Sequence, residues 1–231
     1  MNIIRNDKLI RRNARIASFS TILSIAILLG GTLYFFRFQS TGIPLFVALL
    51  LGILLSQIGM YYTNRFARKP RPDELLDQAL KGLDNKFTLY HYRTPVSHLL
   101  VGPSGVWIFE PKYQSGTINY SNGRWRQKGG NLYLKIFAQE SLGRPDLEVL
   151  GDLDRMQKFF QKNLPDDTVP ELNSALVFLN PEAIIDIPEE ESPPAETVYT
   201  HKLKELIRKS GKSKTLSIEK IHLINEIFNN Y

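Results

Sequence analysis

The chain has 231 residues, 43% of them hydrophobic, and a net charge of +6. That length accommodates one sizeable domain with an appendage, or two small domains, and the positive balance suits acidic partners such as nucleic acid or anionic lipid. The absence of cysteine excludes disulfide frameworks, thiolate zinc sites and cysteine nucleophiles, and the scattered histidines form no His-x-x-x-His pair.

Two uncharged runs come first. Residues 16–36, IASFSTILSIAILLGGTLYFF, and 43–62, IPLFVALLLGILLSQIGMYY, are each long enough to cross a bilayer as a helix. Only RFQSTG separates them, which predicts a transmembrane α-helical hairpin whose first partner is the lipid bilayer. Tyr34, Phe35 and Phe36 close the first run and Tyr61 and Tyr62 the second, where interfacial aromatics are expected. Arg5, Lys8, Arg11, Arg12 and Arg15 precede the pair, Arg65, Arg68, Lys69 and Arg71 follow it, and Arg37 alone lies between. The positive-inside rule therefore predicts a two-pass protein of the cell membrane, with both termini and the globular part cytoplasmic. Neither run carries an acid, a base or a histidine, so the hairpin reads as an anchor and offers no ion pathway. Residues 1–15 read as a basic cytoplasmic lead-in, and 63–72, with RKPRP, as a linker whose prolines stop the helix.

PDELLDQALKGL, 72–83, then has helical spacing through Leu75, Leu76, Ala79, Leu80 and Leu83. KFTLYHY (86–92), VSHLLVG (96–102) and GVWIFEPK (105–112) are strand-like, the last two joined by a GPSG turn. GTINYSNGRWRQ predicts a hairpin about Asn122-Gly123, and NLYLKIF a further strand-like run. Residues 146–163 return to helical spacing, and LNSALVFLN (172–180) is a buried-strand run. Residues 180–196, with six acids and four prolines, read as a surface loop, and 199–209 and 217–229 as closing helices. This order predicts a mixed α/β sandwich.

The third strand ends on Glu110 and Lys112, which alternation places on one face. As an exposed ion pair they would contribute little. The surrounding residues carry more. HLLVGPSGVWIFEPK, preceded by a helix with Glu74 and followed by Gly116 and Trp125, resembles the nuclease-related domain family of the PD-(D/E)xK superfamily over roughly residues 73–200. The resemblance implies a restriction-endonuclease-like mixed sheet flanked by helices, with the 201–231 helices packed on it. It also implies Mg²⁺ or Mn²⁺ held by Glu110, with Glu74 a supporting acid and Lys112 a catalytic cation that orients water.

Hydrolysis of a phosphodiester needs a hard cation on the phosphate and an activated water in line, hence carboxylate ligands and a neighbouring lysine. Where the family has its metal-binding Asp this chain has Ser97, a degenerate ligand position. Pro111 predicts a bulge or an unpaired position in the strand. His98 turns to the other face from Ser97. Trp125, between Arg124 and Arg126, either stacks on a base with the arginines as nucleic-acid contacts or covers the sheet. The basic stretch 201–214 reads as a phosphate- or headgroup-binding segment or as a solvated helix face. The leading reading is a divergent metal-dependent nuclease acting on DNA or RNA at the membrane. The alternative is a catalytically degenerate binding or scaffold module. Both leave the oligomeric state open.

Overall fold

The computed structural model describes residues 1–38, 42–129, 142–213 and 215–229. The chain divides into two compact units, Asp7–Arg71 and Met1–Asn6 with Pro72–Tyr231.

Small residues hold the first unit together. Helices α1 (Asp7–Phe38) and α2 (Gly42–Tyr62) meet where the Ser24 hydroxyl donates to the Gly52 carbonyl at 2.7 Å. A Cβ added to Gly31 would come within 2.3 Å of Ala48 Cβ, so no larger side chain fits there. Such close backbone approach is how helices associate when lipid supplies no hydrophobic drive. The outward surface stays apolar, with Leu33, Phe36 and Ile43 exposed by 69%, 73% and 70%. Both helices are long and apolar enough to cross a membrane. A π-helical turn, Thr63–Ala67, prolongs α2.

The second unit is a mixed sheet covered on both faces. Its strands are β1 (Asn2–Arg5), β2 (Thr88–His91), β3 (His98–Gly102), β4 (Gly105–Lys112), β7 (Leu172–Phe178) and β9 (Glu196–Tyr199), in that spatial order. Only β3 runs against the others. On one face Leu89, Leu100, Trp107 and Phe109 bury Leu76 and Leu80 of α3 (Pro72–Leu80) and Leu203 and Ile207 of α5 (Leu203–Ser213). On the other, Leu99, Val101, Val106 and Ile108 bury Met156 and Phe160 of α4 (Pro145–Asn163) and Ile224 and Phe228 of α6 (Ile218–Asn229). Strict alternation sorts the two clusters. A smaller sheet, β6 (Arg124–Lys128), β5 (Gly116–Ser121) and β8 (Ala183–Asp186), packs Ile118, Tyr120 and Trp125 against Val149, Leu176 and Phe178.

Several segments depart from expectation. Residues 1–15, expected as one basic lead-in, split into strand β1 and the start of α1, so Lys8, Arg11, Arg12 and Arg15 are helical. Residues 2–5 lack the length for a periodic signal; pairing with β2 makes them a strand. The 180–196 loop contains β8, and β9 begins at its end, ahead of a helix expected from 199. NLYLKIF lies outside the described residues.

Candidate functional site

Strand β4 leaves the core as it reaches the Glu-x-Lys pair. Its antiparallel partner β3 is paired only as far as Leu99↔Ile108, while the parallel ladder to β7 continues through Pro111↔Val177 to Lys112↔Phe178. Pro111 therefore sits where β4 has one neighbour, in an unbroken register without a bulge. That is where a residue lacking an N–H is tolerated.

Glu110 and Lys112 continue the Val106–Ile108 face and meet α4. Lys112 is buried, and its Nζ donates to Glu148 Oε2 at 2.5 Å. One turn further along the same helix, Asp152 hydrogen-bonds the Glu110 carboxyl. Burial pushes the Glu110 pKa up to about 8; the hydrogen bond to Asp152 and repulsion from Asp152 and Glu148 add to this, and Lys112 opposes it. These influences favour the neutral form of the Glu110 carboxyl. Asp152 also takes a bond from Arg155 at 2.8 Å.

Ser97 lies one residue before β3, its carbonyl accepting from Tyr92 N–H at 2.8 Å. The β3–β4 ladder ends at Leu99↔Ile108, two residues short of both Ser97 and Glu110. Glu74 stands on α3, whose apolar side covers the opposite face of the sheet. The acids acting on Glu110 are Asp152 and Glu148. Among the described residues, no group of three or more His, Asp or Glu side chains is arranged to hold a metal ion.

A second polar assembly lies on the α3 side. Arg5 of β1 pairs with Asp73 at 2.9 Å and with Asp77. Asp77 Oδ1 contacts His91 Nε2 at 3.0 Å, and His91 Nδ1 meets His98 Nδ1 at 2.8 Å. Both imidazoles and Asp73 are buried. Trp125 turns inward on Tyr120, ring centroids 4.9 Å apart, while Arg124 and Arg126 are exposed.

Glu148 and Asp152 escape a reading of 146–163 by apolar spacing; the only signal is an acid pair four residues apart, shared with many surface helices. Nothing in the sequence marks Arg5 as a partner for residues seventy positions away.

The family comparison bears on the same elements. Residues 71–179 match the family model of the nuclease-related domain, which spans α3 through β7 and includes Glu74, Ser97, Glu110 and Lys112. No curated protein and no solved structure matches the chain. The stretch that supplies the four central strands of the large sheet and presents the Glu-x-Lys pair, residues 71–179, is a nuclease-related domain.

Proposed function

We propose that the chain is a membrane-anchored, non-enzymatic nuclease-related module that binds nucleic acid at the cytoplasmic face of the cell membrane. The observation that carries this reading is the engagement of both chemical groups of the motif by α4. Lys112 is held by Glu148, and Glu110 is hydrogen-bonded to Asp152.

The donors do not fit the expected divalent metal. A hard cation wants several anionic oxygens. Here a neutral serine stands at the acid position, Glu74 belongs to the helix across the sheet, and burial beside Asp152 favours the neutral form of Glu110. Fold alone does not carry activity. The pair instead reads as a polar latch between β4 and α4.

The anchor rests on two helices of sufficient length whose apolar side chains remain exposed outside their mutual contact. Strand β1 supports a return topology. The chain leaves the domain's own sheet at Asn6 and re-enters the domain at Pro72, so the intervening pair must cross and come back. The flanking cations then put both ends inside.

The test uses the full chain in lipid nanodiscs, assayed with single- and double-stranded DNA and RNA under Mg²⁺ and Mn²⁺. No divalent-dependent cleavage and no metal-dependent thermal shift are expected. Metal-dependent cleavage that Glu110→Gln abolishes would overturn the reading.

A further inference from the structure

The outer face of the small sheet carries a row of cations that neither the motif nor the core uses. Along β6, Trp125 and Gln127 turn inward and Arg124, Arg126 and Lys128 outward, all three exposed. Their cross-strand partners on β5 are Ser121, Asn119 and Thr117. Among the described residues none of the three cations has an acidic partner or a hydrogen bond. Two acids stand at the margins of that face: Asp186 of β8, on the far edge, accepts from the Asn119 amide at 3.1 Å, and Glu191 accepts from the Asn122 N–H of the β5–β6 turn at 2.7 Å.

We propose that β6 docks the phosphate backbone of a single-stranded nucleic acid along Arg124, Arg126 and Lys128. The proposal rests on the nucleic-acid-binding reading above and gives it a surface. Alternate residues of a strand lie about 6.8 Å apart on one side, a pitch that an extended polynucleotide can follow phosphate by phosphate. Ser121, Asn119 and Thr117 line the inner flank with hydroxyl and amide groups suited to phosphate and sugar oxygens. The inward Trp125 removes the aromatic platform through which single-strand binders hold bases. Recognition is therefore of the backbone, independent of sequence and steep in salt. Lysines and arginines also serve to keep edge strands from pairing with other chains, but that role does not need a polar flank. A flat anionic bilayer would have to meet both Asp186 and Glu191 as well as the row, whereas a linear polyanion along β6 stays clear of Asp186 across the sheet.

The experiment is binding of a fluorescent oligothymidylate to the full chain in zwitterionic nanodiscs, with EDTA throughout so that neither metal nor cleavage enters. Three phosphate contacts on a single strand predict a slope of log affinity against log salt of about −2. The triple variant Arg124→Gln/Arg126→Gln/Lys128→Gln should bind roughly tenfold or more weakly and lose most of that slope. A control, Lys202→Gln/Lys209→Gln/Lys212→Gln, removes the same charge from the basic 201–214 stretch and should bind nearly as the wild type does. Undiminished binding by the β6 variant, or equal loss in both variants, overturns the row and leaves nucleic-acid binding standing. Absence of binding by the wild type overturns both. Loss of oligonucleotide binding when phosphatidylserine is added to the discs would assign the row to lipid headgroups and also overturn it.

Discussion

The two faces of the large sheet each carry a buried polar assembly, and they are balanced differently. On the α4 face, Lys112 answers Glu148, whose side chain is still 42% exposed, and Glu110 is hydrogen-bonded to Asp152. On the α3 face, Arg5 answers Asp73, whose side chain has no exposure at all, and Asp77 passes the contact on to two buried histidines. A carboxylate that reaches water can lose its cation and be rehydrated; one sealed in the interior cannot. The face with the recognisable motif should therefore be the more tolerant of the two.

The largest effect is expected at Arg5. Arg5→Ala strands the Asp73 charge and should destabilise the domain by about 3 kcal/mol, the lower end of the range for a broken buried pair. The position of Asp73 in the first turn of α3 lets the helix dipole recover part of the loss. Urea denaturation of the detergent-solubilised chain measures it. A loss below that of Lys112→Ala would break the comparison.

Lys112→Ala should be milder, about 1–2 kcal/mol, because Glu148 turns to solvent and the main loss is the packed lysine stem. The same denaturation series sharpens the contrast, and Glu148→Gln, which leaves the buried ammonium unanswered, should exceed it.

The last effect, at Glu110, is smallest in acid and grows as pH rises. Its folded pKa, about 8, lies above the ordinary carboxyl value of 4.5, so the folded state holds a proton that the unfolded state releases. The stabilisation is complete below pH 4.5, declines as pH rises and is gone above about 8. Glu110→Gln mimics the protonated form and should match the wild type within about 0.5 kcal/mol at pH 4, below both pKa values. It should exceed the wild type at pH 9, with the pH-dependent decline removed from its melting curve. A parallel decline in both proteins would mean that Glu110 is not the group that titrates.

Much of the fold was legible because it rests on local patterns. Two uncharged runs announce α1 and α2, alternation announces β4, and Asn122-Gly123 marks the β5–β6 turn, where both residues take positive φ. The motif led to Glu110 and Lys112, which alternation puts on one face of β4. Trp125 shows the limit of such reading: both the stacking and the covering role fit the sequence, and only packing on Tyr120 and Phe178 separates them.

By itself the sequence determined the periodicities, the length and apolarity of the helical pair, and a nuclease-related domain at 71–179, since these depend on residues close together in the chain. The tertiary structure alone decided that residues 2–5 complete the sheet, that α4 rather than α3 supplies the acids around Glu110, and that among the described residues the cations of β6 pair with no acid. Those outcomes turn on which charges meet across 36 or 72 positions. Desolvation and pairing energies are properties of the folded neighbourhood, and no local pattern encodes them.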